Sequence, residues 1–157
     1  MIDLADESLK PYVPTGKPGF RRMIKRVPVG IVLVIAPWNY PYLTALNSVL
    51  PALLAGNAVI LKHAAQTILV GERFQKAMDR IGLPKGLFAS VVLEHERTAK
   101  LIAARGVDHI NFTGSVPGGR AIERAAAGVF VTRPSPTQEV AAPAGPLTKL
   151  TFETRRN

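Results

Sequence analysis

The sequence contains no cysteine. Without a thiol there is no disulfide, no thiolate metal site and no cysteine nucleophile. Aromatic residues make up only 6% of the chain and include one tryptophan, Trp38. No apolar run approaches the roughly 18 residues that a membrane helix requires. The longest, residues 29–36, stops at Pro37, so no membrane partner is expected. Acidic residues are few, with 11 Asp and Glu against 20 Lys and Arg, a formal charge of +9. Such a balance can mark a nucleic-acid partner. The only dense basic cluster, residues 21–26, has no interleaved aromatics for base stacking, so nucleic acid is not expected as the main partner. His63, His95 and His109 are not spaced as ligands, and no metal site is expected. The first seven residues are acidic where a signal peptide would be basic and then apolar. With no other address visible, the expected location is cytoplasmic.

What is present is an alternation. At 157 residues and 47% hydrophobic content, the chain has room for one domain with a core. Residues 29–36 are rich in β-branched side chains with no polar alternation. That suits a strand buried on both faces of a parallel sheet. Pro37 cannot continue the ladder and ends it. Residues 42–54 read as a helix, with Leu43, Leu46, Leu50 and Leu54 as its apolar face. Pro51 should kink that helix or end it early, and Gly56-Asn57 should stop it. Residues 58–61 form a second strand running into Lys62. A helix over 66–81, a strand over 88–93, a helix over 97–104 and a strand over 107–112 follow. Thr113-Gly114-Ser115 then turns the chain into a helix over 117–127, with Ser115 or Val116 near its N-cap. The order predicts an α/β fold: a Rossmann-like parallel sheet with helices on both faces, incomplete.

Three divisions result. Residues 1–28 hold four prolines and read as an extended arm rather than a helix, with an edge strand allowed over 20–27. Residues 29–128 form the sheet domain. Residues 129–157 carry Pro134, Pro136, Pro143 and Pro146 without sustained periodicity, and read as a disordered or loosely attached tail.

Three turns fall at C-terminal strand ends, the edge where open α/β sheets bind ligands. They are Pro37-Trp38-Asn39, Lys62-His63, and Thr113-Gly114-Ser115 with Gly118-Gly119. Gly114 would let backbone approach a ligand, and the next helix would offer unpaired N–H groups to a phosphate. The dinucleotide fingerprint G-x-G-x-x-G is absent. Each residue also has a plainer reading. Lys62 would be a solvated lysine ending a strand, Asn39 would bond its own turn, Trp38 would pack on the next helix, and His109 would be a core histidine.

Ala36-Pro37-Trp38-Asn39-Tyr40-Pro41, residues 51–62 and Phe112-Thr113-Gly114-Ser115 stand together in the order and spacing of one family. Over residues 26–128 the chain resembles the first part of the NAD(P)-binding domain of aldehyde dehydrogenases, and looks closest to the semialdehyde-type members. The resemblance implies that Asn39 is the amide stabilising the oxyanion of the thiohemiacetal. It implies that Pro37 and Trp38 line the cofactor cleft and that Lys62 contacts the adenosine ribose. Gly114, Ser115 and the helix start carrying Gly119 would lie at the pyrophosphate. The implied cofactor is NAD or NADP, and the implied substrate of the full-length family is a small aldehyde. An oligomer is compatible with the resemblance.

The departures are specific. Many members carry a glutamate three residues after the strand-end lysine, where this chain has Ala65. Their Gly-rich turn after the third strand is Leu93-Glu94-His95-Glu96 here. The family's Glu-Leu-Gly-Gly segment, with its general base, is not found, and Thr151-Phe152-Glu153 resembles it only superficially. The nucleophilic cysteine is missing too. The loss of pattern after Gly128 reads as a reading-frame change or a truncated gene, and the chain is expected to be inactive alone. The alternatives are a nucleotide-binding or docking module without chemistry, and, behind it, a basic nucleic-acid binder.

Overall fold

The computed structural model describes residues 1–16, 19 and 22–129. The chain opens on a helix, α1, over Ile2–Leu9. This corrects the extended arm expected there. The first proline is Pro11, so nothing interrupts the backbone ladder before it, and Asp3 lies in the positive first turn. Further along, Tyr12 and Ile24 form one antiparallel bridge, with N–H to O distances of 2.9 and 2.8 Å. Arg26 donates to the Lys10 carbonyl at 3.3 Å, and Arg22 donates to the Thr15 carbonyl. Two members of the basic cluster are thus engaged in holding the arm together. Of the edge strand allowed over 20–27, this single bridge is formed among the described residues. Of the tail expected over residues 129–157, Val129 is described and packs against the core, and residues 130–157 lie outside the described residues.

Four parallel strands form the sheet, in the order β3-β2-β1-β4. They are β1 (Ile31–Ala36), β2 (Ala58–His63), β3 (Phe88–Val91) and β4 (His109–Phe112). Between them run α2 (Pro41–Leu54), α3 (Ile68–Arg80) and α4 (His95–Ala103), and α5 (Val116–Ala125) follows β4. The predicted Rossmann-like α/β architecture is the one observed.

β1 is buried on both faces from Val32 onward, as its unbroken apolar run requires. Val32, Val34 and Ala36 pack with α2 and α3, while Leu33 and Ile35 pack with Ile102, Ile110 and the α5 side. Each such fully buried aliphatic side chain contributes roughly 1.5–3 kcal/mol. On one face the fit is close. An added Cβ at Gly71 of α3 would stand 2.4 Å from Ser90 Oγ on β3. Gln75 of the same helix accepts from the Ser90 N–H at 2.9 Å.

The face that α2 presents to the sheet differs from the expected one. Its buried residues are Ala45, Ser48, Val49 and Ala52, at i, i+3, i+4 and i+7. Leu43 and Leu46, taken from sequence as core positions, are 57% and 38% exposed. Small side chains let the helix sit close to β1 and β2, which outweighs burying the larger leucines. Nor does Pro51 stop the helix. It falls in the last turn, and its own carbonyl still accepts from the Ala55 N–H at 3.0 Å.

The expected stop at Gly56-Asn57 forms with both bonds of a Schellman ending. Gly56 N–H reaches Leu53 O at 2.9 Å, and Asn57 N–H reaches Ala52 O at 3.1 Å. The Asn57 side chain then turns under the start of β1. Its Oδ1 accepts from Val29 and Gly30 N–H at 2.6 and 3.1 Å, and its Nδ2 donates to Ala52 O at 2.9 Å. α4 ends in the same pattern, with Arg105 (φ 56°), one residue before Gly106, in the left-handed conformation. Gly106 is needed for space instead: a Cβ there would lie 2.5 Å from Leu101 Cδ1.

Candidate functional site

The strand order reverses direction between β1 and β4. A crevice opens outside the carboxyl ends of the strands at such a switch point. The three turns singled out from sequence converge on it. Thr113 N–H bonds Ile35 O at 3.0 Å on one side of β1, and Ala64 N–H bonds Ala36 O at 3.0 Å on the other. The end of β1 is therefore clasped by the chain leaving β4 and the chain leaving β2.

At the end of β1, Pro37 is buried, whereas Trp38, Asn39 and Tyr40 are exposed. Tyr40 is left-handed (φ 47°, ψ 48°) and caps α2, with Pro41 as first helical residue. A bulky residue in that region is uncommon and is held by its surroundings. Here the Tyr40 carbonyl accepts from both the Thr44 N–H (3.0 Å) and the Thr44 hydroxyl (2.9 Å). The turn thus fixes where Asn39 and Trp38 start. Asn39 makes no side-chain hydrogen bond among the described residues. It does not serve its own turn, so its amide is available to a ligand. Trp38 is 62% exposed, and so is not packed away on α2.

Lys62 is the least expected of the set. It is 6% exposed, not a solvated strand end. It shares the face of Ile35, opposite it in register, and so lies on the α4–α5 side. No side-chain hydrogen bond or ion pair engages it among the described residues. Burial pushes its ammonium below the ordinary lysine value. His63 points to the opposite face, its ring 6.2 Å from that of Phe74. Burial first, and the Lys62 charge second, lower its proton affinity. Its Nδ1 stands 3.4 Å from the Thr67 hydroxyl, and its Nε2 is buried without a partner among the described residues. His109 sits within β4, as read from sequence, with Nδ1 buried and unpartnered among the described residues and its proton affinity lowered by burial.

At the end of β4, Ser115 is the N-cap of α5 and accepts from Gly118 N–H at 3.3 Å. Pro117 has no N–H to offer, and Gly119 N–H is bonded to Ser115 O at 2.9 Å. The amides of Gly114, Ser115 and Val116 have no acceptor among the described residues. They are the donors a phosphate could use at this helix start. The glycines have a second reason to be there. A Cβ at Gly114 or Gly118 would lie 2.7 or 2.9 Å from Phe112 Cζ, while one at Gly119 would meet the ring at an ordinary 3.5 Å. Phe112 fills the base of the turn, a partner that a one-dimensional pattern does not reveal. The Asn57 clamp is likewise invisible in one dimension, because a glycine-asparagine pair explains a helix stop without it.

A buried, unpartnered ammonium, three unpaired amides and an exposed indole along one strand edge fit a dinucleotide. They provide a cation, phosphate donors and a flat apolar surface. Among the described residues there is no cluster of three potential metal ligands. No helix among them is long and apolar enough to cross a membrane.

A sequence model described as the aldehyde dehydrogenase family matches residues 1–135, wider than the 26–128 over which the motifs were recognised. Benzaldehyde dehydrogenase [NAD(+)] of Pseudomonas putida is 41% identical over 110 residues, 69% of this chain and 23% of that protein. Betaine aldehyde dehydrogenase of Bacillus subtilis (strain 168) is 38% identical over 127 residues, 80% of this chain and 26% of that protein. Among solved structures, succinic semialdehyde dehydrogenase from Streptococcus pyogenes, in complex with NADP+, superposes with a TM-score of 0.77 at 25% identity. The match covers 83% of this chain and 29% of that one. PnpE in complex with nicotinamide adenine dinucleotide gives 0.76 at 32% identity, over 83% and 27%. The chain spans about a quarter of the length of the curated relatives it matches.

Proposed function

Because the chain belongs to the aldehyde dehydrogenase family, we propose that it holds a nicotinamide dinucleotide, NAD or NADP, across the β1–β4 crevice. In the whole protein this would serve oxidation of an aldehyde to a carboxylic acid. The carrying observation is the convergence of Asn39, Lys62 and the Gly114-Ser115 turn on one strand edge, each with donors left unused by the fold. When bound, the dinucleotide would accept hydride. The Gly114, Ser115 and Val116 amides would hold its pyrophosphate, Lys62 its adenosine ribose, and Pro37 and Trp38 would line its cleft. Gly119 would support the helix start. Asn39 would direct its amide N–H at the oxyanion that develops on the substrate.

These 157 residues contain no thiol, so no thiolate is available here to attack the aldehyde. Binding without turnover is the activity we assign to the chain by itself. The semialdehyde expectation is supported by the Streptococcus pyogenes neighbour. Benzaldehyde and betaine aldehyde dehydrogenases are more similar in sequence than that neighbour, at 41% and 38% identity against 25%. A test would titrate the purified chain with both dinucleotides by calorimetry, then supply succinic semialdehyde, benzaldehyde or betaine aldehyde. Heat of binding without dinucleotide reduction is expected. Absence of heat at millimolar dinucleotide would overturn the binding reading, and sustained reduction by contaminant-free protein would overturn the inactivity.

A further inference from the structure

We propose that Thr44 is a positioning residue for Asn39, its hydroxyl a latch that keeps the hinge over residues 38–40 in a strained form. This rests on Asn39 acting as an amide donor, as read above, and adds what aims it. Helix N-caps are ordinarily extended. Glu94 and Ser115, the caps of α4 and α5, are so, at φ −71°, ψ 163° and φ −72°, ψ 153°. Tyr40, the cap of α2, is left-handed at φ 47°, ψ 48°. Nothing in its own sequence favours that. A Cβ makes the left-handed region costly, and Pro41 favours an extended residue before it. Tyr40 is 76% exposed, so side-chain packing does not offset the strain.

Both ends of the hinge are pinned. Pro37 is buried, and the strand before it is clasped through the Ile35 and Ala36 carbonyls. Past the hinge, α2 is tied to α3. The Tyr42 hydroxyl accepts from Arg73 Nη1 at 2.6 Å, and the Tyr42 and Phe74 rings stack with centroids 6.2 Å apart. Between these anchors, Trp38, Asn39 and Tyr40 are exposed, so relaxation of Tyr40 toward an extended backbone displaces Asn39 and Trp38. What opposes it is the Tyr40 carbonyl, held by the Thr44 N–H at 3.0 Å and the Thr44 hydroxyl at 2.9 Å. The N–H bond belongs to any first helical turn, whereas the hydroxyl bond is this side chain's addition. A threonine that bonds back four residues is common and by itself aims nothing. Thr98 does the same on α4, bonding Glu94 O through its N–H at 3.0 Å and its hydroxyl at 2.8 Å, but at an extended cap. Thr44 differs in the strained residue that it holds.

The test uses the whole chain, isotopically labelled, with no ligand added, so it is read whether or not a dinucleotide binds. The signals are the Asn39 side-chain amide, the Trp38 indole N–H, and the intra-residue N–H to Hα cross-peak of Tyr40, which is strong when φ is positive. Thr44→Val keeps the shape and removes the hydroxyl. It should shift the hinge about fivefold toward the extended form, the worth of one ordinary hydrogen bond, weakening the Tyr40 cross-peak and moving the Asn39 and Trp38 signals. Thr44→Ser, which restores a hydroxyl, should return all three to their original places. Thr98→Val should lower the urea midpoint by a similar amount and leave them where they are. Glycine adopts a positive φ without steric cost, so Thr44→Val made in a Tyr40→Gly background should move Asn39 and Trp38 little. A folded Thr44→Val protein with unmoved Asn39 and Trp38 signals would overturn the latch. So would equal displacement in Thr98→Val, or an undiminished effect of Thr44→Val beside Tyr40→Gly. If Thr44→Val alone fails to fold, folding of the Tyr40→Gly, Thr44→Val double variant supports the latch, and its failure to fold overturns it. Absence of dinucleotide binding would instead overturn the function read above, a separate result from these spectra.

Discussion

Replacing Asn57 by alanine removes a clamp that spans 28 residues of sequence. Asn57 is 2% exposed, and its Oδ1 is the acceptor for Val29 and Gly30 N–H at 2.6 and 3.1 Å. Truncation orphans both donors. Ala52 O is not orphaned, because the Asn57 backbone N–H still bonds it at 3.1 Å. A buried polar group left unpaired costs about 1–3 kcal/mol. Val29 and Gly30 are half-buried, so water relieves part of that, and the two together are expected to cost about 2–4 kcal/mol. Against a domain stability of about 5–15 kcal/mol this is a large share. Urea unfolding followed by far-ultraviolet circular dichroism would measure it, as a lower midpoint with an unchanged slope. A loss below about 0.5 kcal/mol, the usual range for surface changes, would refute the clamp. The effect should reach the crevice too, since the clamp sets where β1 begins and thus where Trp38 and Asn39 emerge.

Acid should destabilise the chain. His63 and His109 have folded-state proton affinities lowered from a usual value of 6.5, by burial in both cases and by the Lys62 charge at His63. Depressed folded values mean that the unfolded chain binds protons first. The stabilising contribution is therefore complete above pH 6.5 and is lost as pH falls from there through the folded values. Urea midpoints at stepped pH should decline over that window, and a flat profile would contradict it. Among the glycines of the last turn, Gly114→Ala should cost about 1–3 kcal/mol through its clash with Phe112. Gly119→Ala meets only ordinary contact and should gain up to about 1 kcal/mol of helix propensity. Equal melting temperatures for the two variants would show that Phe112 does not hold the turn.

The fold was legible because β1, β2 and the helices between strands carry strong periodic signals, and because prolines and glycines punctuate them. The placement of the three turns followed from strand order alone. What was not legible depends on contacts between distant residues. Which side of α2 is buried is decided by how closely the helix lies on β1 and β2, and that favours Ala45 and Val49 over Leu43 and Leu46. Lys62 looks like a surface lysine in one dimension and becomes a buried one only under the helices on its face. The helix over Ile2–Leu9 is hidden in one dimension by the prolines that follow it from Pro11 onward. Gly114 and Gly118 looked like ligand-facing glycines, and the need for Phe112 beneath them could not be seen.

Strand order also sets the sequence of folding events. The bond from Gly30 to Asn57 closes 27 residues, whereas that from Ile31 to Asp108 closes 77. Shorter closures cost less entropy and are made earlier. The half of the core under α2 and α3 is therefore expected to form in the folding transition state, and the half under α4 and α5 to condense afterwards. Conservative truncations should give φ-values well above zero at Val49 and near zero at Ile102, and the reverse order would refute the scheme. During synthesis, the first half could take shape while β4 has yet to be made, leaving the far side of β1 bare until the chain returns to it.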